Sequence, residues 1–180
     1  MSNSRRQIEA WLKTLDISGS VLDVGGLFMP VKGRTSGWKV DTYHIADING
    51  GRKGIKTDFI WDFNMKVLVD TQEYDNVFAL EVTDHWWDIA QAFRNLRWCT
   101  KSGGYLYISS NFLFPHHTGF DCLRLTRTGL EKLLAETGFK VVEITPRFAV
   151  DKTMEEAMRK ESKVVYHPGE IGYFVKAQKV

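Results

Sequence analysis

The residues most able to do chemistry sit at the ends of two short apolar runs. Val21-Leu22-Asp23-Val24 is closed by Gly25-Gly26, and about twenty residues further on Asp47 closes Tyr43 to Ile48. In an alternating α/β chain, glycines after the first strand let a ligand approach the backbone. An acid ending the second strand accepts hydrogen bonds from ribose hydroxyls. The chemistry implied is nucleoside binding. Gly25-Gly26-Leu27-Phe28-Met29-Pro30 has no GxGxxG register and no Gly-Lys-Ser/Thr step, so neither a pyrophosphate cradle nor a nucleoside-triphosphate loop is indicated. A nucleoside cofactor without phosphates fits best. Each residue also has a plainer use: Asp23 as a loop cap, the glycines as turn formers, and Asp47 as the start of a turn into Asn49-Gly50.

His85, His116 and His117 follow later apolar runs, and histidine is the natural proton acceptor near neutral pH. In such loops the commoner job is to order the backbone. His116, His117 and Asp121 have no metal-site spacing, and neither Cys99 nor Cys122 falls in a zinc or disulfide pattern, so no metal is expected. Trp86, Trp87, Phe112, Phe114 and Phe120 surround these histidines in sequence and could line an apolar acceptor pocket or simply pack. Arg124 could clamp an anionic acceptor, but pairing with Asp121 is the simpler role.

The elements that must position these groups alternate. Ser4 and Gln7 resemble a capping box before Ile8, Trp11, Leu12 and Leu15 at helical spacing. After the first strand, residues 27–41 hold Pro30, Gly33 and Gly37, too close together for a good helix, and a loop is expected. Tyr43 to Ile48, Asp58 to Trp61 and Asn76 to Val82 read as strands, and Trp86 to Trp98 as a helix. Ser102-Gly103-Gly104 reads as a turn before a strand over Tyr105 to Ser109. Thr128 with Glu131 predicts a helix ending at Gly138, and 139–145 a strand. Thr153 with Glu156 predicts a last helix, and Ile171 to Ala177 a final strand.

The 180 residues, 43% hydrophobic and 26% charged, are enough for one well-buried core without metals or crosslinks. A single domain is expected over 1–180, with a leading helix over 1–17, a cofactor-binding core over 18–145, and a C-terminal helix and last strand over 146–180. The charge of +2 is interspersed and gives no strong nucleic-acid signal. No apolar stretch is long enough to span a bilayer, and with no disulfide framework a cytoplasmic location is expected. Oligomeric state has no sequence signal.

These motifs, in this order, resemble the class I S-adenosylmethionine-dependent methyltransferases, in particular the small ones acting on metabolites and sugars. Val21 to Gly26 is similar to the family's first motif and His44 to Ile48 to its second strand with the ribose-binding acid. Asp58-Phe59-Ile60-Trp61-Asp62-Phe63 is similar to the third strand, with an adenine-binding acid. "YDNVFALEVTDH" (74–85) resembles the fourth-strand motif, and "PHHTGFDCLRLTRTGLEKLLAETGF" (115–139) the stretch after the fifth. The resemblance covers about 18–145. It implies a mostly parallel, Rossmann-like three-layer α/β fold with an antiparallel C-terminal strand. It also implies S-adenosylmethionine as cofactor, held by Asp23, Gly25, Gly26, Asp47, Asp62, Phe63 and Leu80. Candidate acceptor residues are Trp86, His117, Asp121 and Arg124, and His85 and His116 are the candidate catalytic residues. One departure stands out: Leu27, Phe28 and Pro30 replace the usual Gly-x-Gly continuation.

The function expected is methyl transfer to an oxygen or nitrogen of a small molecule or sugar. The alternative is a non-catalytic cofactor-binding or regulatory module with a degenerate first motif. Leu80-Glu81-Val82-Thr83 is not the Pro-Pro-aromatic stretch of amine methylation in DNA, and neither cysteine follows a proline as cytosine C5 chemistry would need. A nicotinamide-dependent oxidoreductase would share the strand-two acid but lacks its phosphate loop.

Overall fold

The computed structural model describes residues 2–52, 54–66, 73–116, 119–149, 153, 156, 160 and 169–180. The strands are β1 (Ser18–Val24), β2 (Lys39–Asp47), β3 (Gly51–Arg52), β4 (Ile55–Lys56), β5 (Phe59–Ile60), β6 (Tyr74–Leu80), β7 (Thr100–Asn111), β8 (Phe139–Phe148) and β9 (Glu170–Lys179). The helices are α1 (Asn3–Leu12), α2 (Ile89–Cys99) and α3 (Arg127–Glu136).

Seven strands form one sheet in the order β5-β2-β1-β6-β7-β9-β8, while β3 and β4 make a separate hairpin. Pairing is parallel from β5 through β7, and β9 is inserted antiparallel between β7 and β8. This is the mostly parallel, Rossmann-like arrangement. Strand order reverses at β1, which lies between β2 and β6, and that reversal opens a crevice at the carboxyl ends of the strands.

Helices α2 and α3 cover one face, where Phe93, Leu96, Leu130 and Leu134 pack into a core with Val77, Leu106 and Val175. On the other face α1 buries Ile8, Trp11 and Leu12 against Phe78, Tyr107 and Phe174, with Trp11 stacked on Phe174 at 4.8 Å. No helix joins β1 to β2. Gly33 and Gly37 take φ values of 79° and 99°, which an L side chain resists, and Pro30 disfavours a helix interior. Trp38, at the end of this loop, stacks on Phe78 at 5.4 Å and covers sheet that a crossover helix would otherwise cover.

Several boundaries differ from the sequence reading for local reasons. The helix caps are Ser2 and Thr126, not Ser4 and Thr128, because the Ser2 and Thr126 hydroxyls accept from Arg5 N and Gly129 N. The helix read from Trp86 begins only at Ile89, where the Asp88 carboxylate accepts from Gln91 N, so Trp86 and Trp87 belong to the connection before it. Ser102-Gly103-Gly104 is no turn: it lies inside β7, which absorbs Gly103 at φ 75° with a register shift against β6. Of the last helix, Thr153, Glu156 and Lys160 are helical, and the rest lies outside the described residues.

Candidate functional site

A cavity of about 940 Å³ opens at the carboxyl ends of β1, β2, β5 and β6, at the strand-order reversal. Its floor is Gly25 and Gly26. Gly25 has φ 76°, and a Cβ there would fall 2.3 Å from Val82 Cγ1, while one on Gly26 would meet the Asp23 carboxylate. Neither position tolerates a side chain, and the bare backbone faces the cavity.

Asp47 and Asp62 stand on one side in matching turns. In each, one carboxylate oxygen accepts from the backbone and side-chain nitrogens of the asparagine two residues on. Asp47 Oδ1 takes Asn49 N at 3.0 Å and Nδ2 at 3.3 Å, and Asp62 Oδ1 takes Asn64 N at 2.9 Å and Nδ2 at 2.8 Å. Among the described residues no hydrogen bond reaches either Oδ2, so each acid is fixed in direction with acceptor capacity to spare. Phe63 lies between Trp61 and Trp86, with ring centroids 4.2 and 5.9 Å away, and all three border the same cavity.

Asp23 lines the cavity but is only 2% exposed. Its Oδ2 accepts from Val31 N at 2.7 Å and from the Tyr43 hydroxyl at 2.5 Å. Burial pushes this carboxyl up to about 6 against the lowering pull of Tyr43 and Val31. Burial and the facing carboxyl push the Tyr43 hydroxyl up as well. The loop-capping use of Asp23 is therefore what the geometry displays, and Val31 is the point where the 25–38 loop is tied down.

Over the cavity lies the first turn of α1, with Ser4, Arg5 and Ile8 on the lining. Arg147, fully buried in β8, holds that turn: its guanidinium donates to Glu81 Oε1 at 2.6 Å, to Asn111 Oδ1 at 3.0 Å and to the Ser4 hydroxyl. Burial alone would raise the Glu81 carboxyl, but Arg147 together with hydrogen bonds from Ser109 and Asn111 holds it below the usual carboxylate range. Asn3 and Gln7 side chains also donate to the Phe148 carbonyl. Glu81 itself sits at φ 56°, strained for a residue with a Cβ, immediately after β6. Sequence reasoning passed over Glu81, Tyr43 and Arg147, and nothing local in the sequence marks them as partners.

No protein-family model matches the sequence, and no curated protein matches it. Solved structures do. An S-adenosylmethionine-dependent methyltransferase from Mesorhizobium loti superposes with a TM-score of 0.68 at 13% identity, over 98% of both chains. The Burkholderia thailandensis 1,6-didemethyltoxoflavin-N1-methyltransferase, with its acceptor and S-adenosylhomocysteine bound, superposes at 0.67 and 14% identity, over 98% of this chain and 78% of that one. The Synechocystis magnesium protoporphyrin IX methyltransferase, with S-adenosylmethionine bound, gives 0.59 and 14%, over 97% and 77%. The chain has the class I S-adenosylmethionine-dependent methyltransferase fold.

Of the candidates on the acceptor side of this methyltransferase fold, the structure brings some to the cavity and leaves others out. His85 and Trp86 line it, along with Trp87, Phe114, Phe120 and Cys122, as does Leu80 at the end of β6. His85, His116 and Arg124 do not converge on this cavity. His116 is exposed and not on the lining, and the Arg124 guanidinium closes on Asp121, with a further bond to the Phe114 carbonyl. An i,i+3 partner in the same segment satisfies Arg124 more cheaply than reaching across a loop. Asp121, spent on that pair, is also off the lining, and His117 lies outside the described residues.

Proposed function

We propose that the protein binds S-adenosylmethionine and transfers its methyl group to an oxygen or nitrogen of a small molecule. The observation that carries this reading is the pair Asp47 and Asp62, each tied at one oxygen and open at the other, on a cavity floored by Gly25 and Gly26. Asp47 suits ribose hydroxyls, and Asp62 with the Trp61, Phe63 and Trp86 rings suits an adenine. When bound, the cofactor supplies a methyl group on a sulfonium, whose in-line displacement needs alignment more than acid–base help. Leu80 and the glycines define the floor along which that alignment would be set.

Among the described residues, His85 is the one histidine on the lining. Its Nδ1 lies 2.8 Å from the Phe120 carbonyl, which only accepts, so Nδ1 carries the proton and Nε2 is the basic nitrogen of the neutral ring. The neighbours' acceptors, a didemethyltoxoflavin and magnesium protoporphyrin IX, support a small-molecule acceptor here. A cytoplasmic location fits two cysteines that form no disulfide, and no described helix is long and apolar enough to cross a membrane.

The second reading, a non-catalytic cofactor-binding module, draws on the loop that Asp23 and Tyr43 pin in place of the usual helix. Calorimetric titration with S-adenosylmethionine, paired with the variant Asp47→Ala, tests both. Each charge-assisted bond is worth about 1.5–3 kcal/mol, so the variant is expected to bind at least tenfold more weakly. Equal affinity in wild type and variant defeats the ribose assignment, and tight binding without turnover on any acceptor favours the module.

A further inference from the structure

The acceptor end of the cavity is built from two connections, 81–88 after β6 and the segment after β7, and its polar groups are used to join them. Cys122 N donates to the Asp84 carbonyl at 2.7 Å, His85 Nδ1 to the Phe120 carbonyl at 2.8 Å, and Cys122 Sγ reaches the His85 carbonyl at 3.8 Å. Arg124, clamped on Asp121, braces the Phe114 carbonyl from behind at 3.5 Å. What this frame presents inward is aromatic: Trp86, Trp87, Phe114 and Phe120. Trp87 is 66% exposed and Phe120 70%, large apolar rings left in solvent on the rim of a cavity. Rings held on a hydrogen-bonded frame and still exposed mark a surface made to be covered.

We infer that, given the cofactor reading above, the acceptor is a flat, uncharged aromatic molecule bearing one hydroxyl or amine, and that Trp87 and Phe120 select it. Charge on the lining argues against other classes. The cations lining the cavity among the described residues, Arg5 and Arg34, lie on the α1 side and both engage Glu9, at 3.3 and 3.0 Å. Among the described residues an anionic acceptor therefore finds no cationic partner on the lining of the aromatic end. Of the lining carboxylates among the described residues, Asp47 and Asp62 gather at the β2 and β5 side, Asp23 is buried and held by Val31 and Tyr43, and Glu81 is paired with Arg147, so a cationic acceptor finds no unpaired lining carboxylate at the aromatic end. A sugar needs several side-chain donors and acceptors around its hydroxyls, whereas among the described residues this wall offers His85, Cys122 and aromatic faces. With about 940 Å³ in all, the cavity is at the upper end of the roughly 300–1,000 Å³ usual for small-molecule sites, large enough to hold a nucleoside and a ring system side by side.

The test is calorimetric titration of the full chain saturated with S-adenosylhomocysteine, using 2-naphthol, methyl glucopyranoside and tetramethylammonium as probes. Saturable binding of 2-naphthol alone is expected. Trp87→Ala and Phe120→Ala should each weaken it at least fivefold while leaving S-adenosylhomocysteine affinity within about twofold, since stacking on an exposed ring contributes about that much. Binding of the glucoside or the ammonium in place of 2-naphthol overturns the inference, as does 2-naphthol binding that neither variant changes. No binding of 2-naphthol to the S-adenosylhomocysteine-loaded protein also overturns it. If S-adenosylhomocysteine itself fails to bind, the cofactor reading falls instead, which separates the two failures.

Discussion

The Tyr43 hydroxyl and Val31 N converge on a single oxygen of Asp23, at 2.5 and 2.7 Å. One carboxylate thus joins β1, β2 and the loop between them. Its proton affinity makes the joint pH-dependent. The native carboxyl keeps its proton up to about pH 6, against 3.8 for an unperturbed one, so the native state holds more protons between those values. Stability from this group is then fullest below about 3.8 and falls as pH rises through 6. Asp23→Asn keeps an oxygen for both donors and removes the titration. The variant should gain on wild type by on the order of 2–3 kcal/mol as pH rises from 4 to 7, read from urea midpoints. Parallel pH curves for the two proteins would refute it.

Asn49 offers a finer cut at the ribose assignment. Its backbone and side-chain nitrogens fix Asp47 Oδ1 and leave the proposed ligand oxygen alone. Asn49→Ala therefore loses orientation but not charge. Its S-adenosylmethionine affinity should drop about two- to fivefold, less than for Asp47→Ala, corresponding to a modest fraction of one hydrogen bond. Titration calorimetry on the two variants side by side gives the ranking, and the reverse order would contradict it.

His85 joins two connections through Nδ1, and an asparagine amide can take the place of that nitrogen. His85→Ala should cost about 1 kcal/mol of stability and reduce cofactor binding with it. His85→Asn should recover melting temperature, binding and turnover together. An asparagine variant that is folded and binds cofactor but does not turn over would instead make His85 the proton acceptor.

Arg147 is fully buried while the Glu81 side chain is 32% exposed, so the two ends of this pair are unequal. Arg147→Met leaves Glu81 half-buried without its cation and removes a donor to the Ser4 hydroxyl, and a loss of about 3 kcal/mol is expected, the low end for a broken buried pair. Because Glu81 is held below its ordinary 4.5, the pair's contribution is fully present above that value and is lost as pH falls through the lower native value. Urea unfolding at pH 7 and pH 3.5 should therefore show a smaller gap between wild type and variant at the second than at the first.

The sheet was legible because its strands are contiguous apolar runs bounded by glycine and polar turns, a signal that survives without knowledge of neighbours. The loop after β1 was legible for the same local reason, through Pro30, Gly33 and Gly37. The turn from Asp47 into Asn49 was readable from its place at a strand end, whereas Asp62 was singled out only through the family resemblance. The Asp23–Tyr43, Glu81–Arg147 and Arg124–Asp121 choices differ in kind. Arg124 was read correctly as a pair with its neighbour three residues away, while Arg147 meets Glu81 across 66 positions, which no periodicity encodes. The helix boundary at Asp88 mattered most for the site. A run of apolar residues from Trp86 looks helical throughout, yet the cap at Asp88 releases both tryptophans to the cavity.

The bonds from Gln7 to the Phe148 carbonyl join residues 141 positions apart. During synthesis at roughly 5–20 residues per second, α1 emerges on the order of ten to thirty seconds before the strand that secures it. Until Arg147 and Phe148 leave the ribosome, the first turn over the cavity lacks its bonds to β8, so a nascent chain carries glycine floor and acidic wall under a roof held at fewer points. Completion of the far edge of the sheet is what closes the site.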